Sequence, residues 1–422
     1  MEDRLRILRT YNFWDNQSVN LGFPRKDYLD KLTSFTGNRL IKVITGQRRC
    51  GKSFLLRQFI FQLHRQGIDP RNIFYINKEY TAFDFIRTSH DLAEVIQLYL
   101  NQFKPSGKVY LFLDEVQLIK DWEKVINSFS QDFTAEYEVF ISGSNASLLS
   151  GELATLLTGR YIAFNVFPYS YVEYCQVTGK IPGKPAYVDY LTGGALPELF
   201  NLPDQAVRHH YVQALKDTIL MKDIVERYHI KDTTLLESLF SFVVQNICNP
   251  VSVTNIVNYY QNLRVVTTFN TMSSYLEYLK QAFLLHEVSR YDMKGKKILG
   301  GTRKYYLNDL AFRNTLYSGF EPGLGYLLEN AVFMEFRRNG YEVFTGTERN
   351  KEVDFMVKKS GTIKYVQVCY LLTDENVIRR EFGNLGGIRD NWEKMVISLD
   401  DVSLGNRNGI IHHPAWNPEI YL

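Results

Sequence analysis

Short, uninterrupted apolar runs alternate with longer amphipathic stretches as far as Val166. Arg39 to Thr45 reads as a strand and Lys52 to Arg65 as a helix. Asn72 to Asn77 reads as a second strand, followed by a helix from Asp91 to Phe103. Val109 to Leu113 and Glu138 to Ser142 are further strands, with Tyr161 to Val166 as a candidate fifth. Strands that are apolar throughout and separated by helices predict a parallel sheet covered on both faces. Gly and Pro then cluster from Phe167 to Pro203, which marks a boundary.

From Ala206 to Gln281 the pattern is mostly helical, with a β-branched patch separating Val253–Asn262 from Phe269–Gln281. Strands at Phe283 to Tyr291 and Arg303 to Asn308 flank a basic, Gly-rich turn. Two helices and a hairpin in that order predict a winged helix-turn-helix. A helix from Gly325 to Asn339 comes next, then strands at Tyr341–Thr345, Glu352–Val357 and Ile363–Cys369. A closing helix and strand make this a small α/β unit. The expected organisation is an α/β parallel-sheet core over 1–166, a helical connection over 167–232, a winged helix over 233–310 and a small C-terminal α/β domain over 311–422.

Composition narrows the class. The 422 residues are 45% hydrophobic and 23% charged, a globular mix that excludes wholesale disorder. No apolar run approaches the ~18 residues of a membrane span, and the charged start lacks the apolar core of a secretory signal. Cys50, Cys175, Cys248 and Cys369 form no C-x-x-C, which argues against a zinc knuckle or a disulfide scaffold. The expectation is an intracellular, cytoplasmic chain with no membrane partner. A net charge of +3 does not compel a nucleic-acid partner, although a local patch can still serve one.

The sharpest chemical signal is Gly46-Gln47-Arg48-Arg49-Cys50-Gly51-Lys52-Ser53, which fits G-x-x-x-x-G-K-[ST] between a strand and a helix. Gly46 and Gly51 permit a loop whose backbone N–H groups converge on phosphate oxygens, and the helix start through Phe54 adds its positive dipole end. Lys52 places a cation on the β- and γ-phosphates, and the Ser53 hydroxyl ligates Mg²⁺. The apolar strand Leu111-Phe112-Leu113 ends in Asp114-Glu115. That puts two carboxylates at the sheet's carboxyl edge, Asp114 to hold Mg²⁺ and Glu115 to polarise the attacking water. One strand further on, Ser144 or Asn145 suits a sensor of the γ-phosphate, though both residue types also cap helices well. Arg160 is a candidate for transition-state charge and equally suits a surface ion pair. ATP and Mg²⁺ are the cofactors these residues predict, and no base-reading motif separates ATP from GTP.

Ile44 to Ser53 resembles the prokaryotic AAA-type P-loop ATPases, as do Leu113-Asp114-Glu115-Val116-Gln117 with Trp122, Ser142-Gly143-Ser144 and Gly159-Arg160. Further similarity lies in Lys304 to Asp309, Leu328-Glu329-Asn330, Glu352-Val353-Asp354-Phe355 and Tyr365 to Tyr370. The resemblance covers nearly the whole chain and implies an AAA-type core, a winged-helix segment and a restriction-endonuclease-like C-terminal fold. Such folds place a helix Glu, a strand Asp and an E/Q-x-K around Mg²⁺. Glu329, Asp354 and Gln367 fit the ligand positions of a vestigial Mg²⁺ site, but Cys369 stands where the lysine belongs. Cleavage is therefore not expected, unless a lysine such as Lys351 or Lys364 takes over.

Arg290, Lys294, Lys296, Lys297, Arg303 and Lys304 surround the hairpin turn against the single acid Asp292. A wing with that charge suits a DNA backbone, and Asn270, Thr271, Ser273 and Ser274 suit contacts from a recognition helix; protein contact is the equal alternative. The expected function is a Mg²⁺-dependent ATPase acting as a conformational switch or motor, with duplex DNA as a candidate partner and an oligomer admitted. The alternative is a DNA-binding regulator or nuclease gated by ATP.

Overall fold

The computed structural model describes residues 2–15, 19–146, 157, 159–317, 319, 323–348 and 351–422. The chain divides into two compact units, Met1–Val166 and Phe167–Leu422.

The first unit is built on five parallel strands: β1 (Ile41–Thr45), β2 (Ile73–Asn77), β3 (Val109–Asp114), β4 (Tyr137–Gly143) and β5 (Tyr161–Asn165), in the order β2-β3-β4-β1-β5. Side chains alternate between the two faces along each strand. Phe74, Ile76, Leu111, Leu113, Val139 and Ile141 pack to one side, with Leu92, Val95 and Ile96 of the helix Ser89–Phe103 and Ile126 of the helix Trp122–Gln131. Tyr75, Tyr110, Phe112 and Phe140 pack to the other, under Leu55, Leu56, Phe59 and Leu63 of the helix Lys52–Arg65. Phe112 and Phe140 stack at 4.5 Å there. Both faces of the sheet are covered, which is why the strands carry no polar alternation. The helix at Ser89 starts two residues earlier than its apolar pattern, because Thr88 and Asp91 close a capping box.

The second unit begins at Phe167, where the Gly and Pro of 167–203 predict a boundary, and it opens with helices. Tyr171–Thr178 and Lys184–Gly193 are helical, the first started by a Ser170–Glu173 capping box. Tyr171, Tyr174 and Tyr187 are buried around Tyr190 in edge-on or tilted contacts. The aromatic rings supply a core that the Gly and Pro count conceals. A largely helical stretch follows, including Thr233–Gln245, Val253–Asn262 and Phe269–Gln281.

The remaining strands form one mixed sheet: β6 (Leu285–Asp292), β7 (Lys297–Leu307), β8 (Glu342–Glu348), β9 (Lys351–Lys359), β10 (Thr362–Cys369), β11 (Glu393–Ser398), β12 (Asn406–Arg407) and β13 (Ile410–Pro414). Their order is β12-β13-β11-β10-β9-β8-β6-β7. The hairpin β6–β7 is therefore not a free wing. Arg290, Tyr291 and Asp292 pair in parallel with Thr345, Gly346 and Thr347 of β8, so the hairpin extends the C-terminal sheet. The expected division near 310 falls inside this unit. No helix among the described residues is long and apolar enough to cross a membrane.

Candidate nucleotide site

The loop after β1 holds the geometry that its glycines predict. Gly46 has φ 151°, and a Cβ there would meet the Val166 carbonyl at 2.2 Å, so no side chain fits. Gly51 is left-handed at φ 101° and starts the helix Lys52–Arg65 with no side-chain cap. The first-turn N–H groups thus have no side chain competing for them, as an anion site requires. Lys52 Nζ is buried and donates to the Gly46 and Gln47 carbonyls at 3.0 and 3.2 Å. Cys50 is buried and its carbonyl accepts from Arg25 at 3.2 Å; burial pushes its thiol pKa up. Arg48 pairs with Glu79 at 2.5 Å, Arg49 is exposed at φ 67°, and Phe54 is exposed over the approach of Gly22.

The sheet order puts β4 between the loop strand β1 and β3, and both carboxylates come to the same edge as the loop. Glu115 Oε1 lies 3.6 Å from Lys52 Nζ. Burial would raise the Glu115 pKa, but the Lys52 ammonium, the Gln117 amide and the Arg48 charge outweigh it and hold the carboxyl low. Lys52 is raised in turn: its burial is outweighed chiefly by the charge of Glu115. Asp114 accepts from Asn77 Nδ2 at 2.8 Å, from Tyr75 at 3.2 Å and from the Ser142 hydroxyl. Burial and the neighbouring Glu115 charge push its pKa up to about 6, while Ser142, Ser53 and Lys52 pull it down. A buried carboxylate whose pKa the Ser53 hydroxyl helps to lower fits the donor set of a nucleotide-bound Mg²⁺. Ser144 and Asn145 are fully buried just beyond β4, on the same edge.

Arg160 does not join them. It is exposed and immediately precedes β5, and its carbonyl accepts from the Ile41 amide at the start of β1. The five residues of β5 separate it from the loop edge by roughly 16 Å. That placement sets Arg160 at the end of β5 opposite the loop edge.

Sequence reasoning missed Tyr75, Asn77 and Arg25, and gave no role to Gln117. Asn77 ends the strand beside β3, pairs with Asp114 in register, and was visible only as a polar end to an apolar run.

In the second unit, Glu329 and Asp354 both border the Lys304 ammonium, and Gln367 bonds the Asp354 backbone. Among the described residues no group of three or more His, Cys, Asp or Glu is placed to hold a metal. The Gln367 amide donates to Glu381 at 3.0 Å and accepts from the Asp354 N–H at 3.4 Å. Cys369 donates to the Leu371 carbonyl, and burial pushes its thiol up to about 11. Lys351 and Lys364 reach the Gly383 and Ile420 carbonyls instead. The lysine that does reach the acids is Lys304, 3.0 Å from Glu329 and from Glu352. Its signal was parity: it shares a strand face with Tyr306, which also bonds Glu329.

Comparison with known proteins agrees with the first unit. An AAA domain model matches residues 38–175, and a domain of unknown function matches 184–323. An uncharacterized protein of Haemophilus influenzae is 35% identical over 381 residues, 89% of this chain and 92% of its own. One of Methanocaldococcus jannaschii is 27% identical over 387 residues, 86% and 81% of the respective chains. The Walker-type ATPase of Pyrococcus abyssi is a distant likeness of fold, at 16% identity and a TM-score of 0.45 over 70% of this chain and 95% of that one. The chain belongs to the family of the Haemophilus influenzae protein, and in this chain an AAA-type P-loop ATPase core precedes a C-terminal part of unknown function.

Proposed function

We propose that this protein binds ATP with Mg²⁺ and hydrolyses it, using the cycle as a conformational switch or motor. The observation that carries this reading is the convergence of Lys52, Glu115 and Asp114 at one sheet edge, with Lys52 and Glu115 3.6 Å apart. Nucleotide phosphates draw Lys52 from the Gly46 and Gln47 carbonyls onto their own oxygens. That frees Glu115 to accept a proton from water. Asp114 and Ser53 would hold the metal, whose chemistry when bound is to neutralise charge on the phosphates. Ser144 and Asn145 are the polar groups positioned to sense the terminal phosphate. In this reading Arg160 serves the nucleotide of a neighbouring copy. The test is Mg²⁺-dependent ATP hydrolysis by the full chain, abolished by chelation; its absence under native conditions would contradict the reading.

A second reading places duplex DNA on the hairpin, with Val253–Asn262, Phe269–Gln281 and β6–β7 acting as a winged helix. Its support is that Lys294, Lys296 and Lys297 are exposed and make no ion pair among the described residues. Arg303 and Lys304, by contrast, are engaged by Glu287 and by Glu329 and Glu352. The phosphate-binding charge thus reduces to the hairpin tip. DNA that stimulates ATP turnover would join the two readings.

A further inference from the structure

Lys304 leaves β7 with its side chain 5% exposed, and its ammonium ends inside a ring of three carboxylates. Glu329 Oε1 and Glu352 Oε1 are each 3.0 Å away, and Asp354 Oδ1 is 3.8 Å away. Glu329 comes from the helix Leu324–Arg338 and the other two from β9, so the fold, not local sequence, brings them together. Glu329 also accepts from the Tyr306 hydroxyl at 2.8 Å, and Asp354 from the Val368 N–H at 2.8 Å. An ammonium has three donors and no acceptor, so it matches such a ring as a compact point charge. A divalent ion on Glu329 and Asp354 needs oxygens at about 2.1 Å around the same space, where the ammonium would repel it. The Gln367 amide oxygen accepts from the Asp354 N–H at 3.4 Å, and Cys369 donates to the Leu371 carbonyl.

We propose that Lys304 is the resident cation of this cluster, standing where an endonuclease-like site would hold its metal. The ion pairs lock β7 to the helix Leu324–Arg338 and to β9, and the cluster takes no divalent cation. The same lysine that closes the site to metal removes the metal-assisted route to phosphodiester cleavage. Deleting its charge leaves three carboxylates without a counter-ion, which is a demand that a divalent cation meets.

The experiment is Mn²⁺ titration of the nucleotide-free full chain, followed by the electron paramagnetic resonance of free Mn²⁺. The native chain and Lys304→Arg are expected to take up no Mn²⁺ in the submillimolar range. Lys304→Met is expected to gain one Mn²⁺ per chain, and Lys304→Met combined with Asp354→Asn to lose it. Circular dichroism checks that each variant is folded. A folded Lys304→Met chain that gains no Mn²⁺ overturns the proposal. If Lys304→Met does not fold, native and Asp354→Asn chains decide. Equal absence of uptake supports the lock, and native uptake that Asp354→Asn abolishes overturns it.

Discussion

Lys52 Nζ stands 3.6 Å from Glu115 Oε1 in the nucleotide-free chain, with both side chains buried. The cation and the base of the proposed reading therefore pair with each other at rest. In that reading, phosphates give Lys52 a competing partner and so release both.

The loop backbone admits a direct probe. Gly46→Ala would place a Cβ 2.2 Å from the Val166 carbonyl at a φ that disfavours L side chains. The strand-to-loop junction must shift, and Mg²⁺-nucleotide affinity is expected to fall about tenfold or more, the equivalent of ~1.4 kcal/mol. Titration with a fluorescent nucleotide measures it, and unchanged affinity contradicts the described close approach.

Acid should act through Asp114. Its pKa is raised to about 6 by burial and by Glu115, so below that pH the carboxyl is protonated and cannot hold Mg²⁺. Mg²⁺-nucleotide affinity is expected to rise with pH through about 6 and then level. Linkage in the nucleotide-free chain runs the other way. An acid whose folded pKa is raised binds more protons folded than unfolded, so its contribution to stability falls as pH rises between about 4 and 6. Asp114→Asn should abolish both dependences, measured by nucleotide titration and by denaturant unfolding at several pH values.

Away from the site, Lys42 and Glu138 form a fully buried ion pair, and Glu138 also accepts from the Gly37 N–H and from Lys108. Burial pulls the Lys42 pKa down despite that partner. Glu138→Ala leaves Lys42 buried without its carboxylate and is expected to cost ~3–5 kcal/mol. Lys42→Met with Glu138→Leu should recover most of that loss. Urea unfolding of the three chains tests this, and a double variant no more stable than Glu138→Ala would contradict it.

The hairpin tip gives a salt test. If Lys294, Lys296 and Lys297 contact phosphates, duplex affinity falls steeply with salt, and each Ala substitution reduces the log–log slope by about 0.9. Affinity indifferent to salt and to the triple substitution removes the DNA reading.

The loop Gly46–Ser53 and the acids Asp114 and Glu115 were legible because phosphate chemistry fixes residue type and spacing together. The paired strands were legible because burial on both faces leaves no polar residue in Val109–Leu113. Arg160 was misleading: its adjacency to Tyr161 sets it at the far end of β5, and only strand direction reveals that. The hairpin read as a free wing because pairing of Arg290 with Thr345 is a long-range contact with no local trace. Lys304 was counted as surface charge for the same reason, since its three carboxylates arrive from residues 329, 352 and 354.

The central claim is that Glu115 activates water while Lys52 binds phosphate. ATP binding and turnover, measured side by side on the native chain, Glu115→Gln and Lys52→Ala, test it most directly. The account predicts that Glu115→Gln binds ATP with near-native affinity but turns over more slowly by a factor of ~10² or more, whereas Lys52→Ala loses binding itself. Native turnover in Glu115→Gln would contradict it.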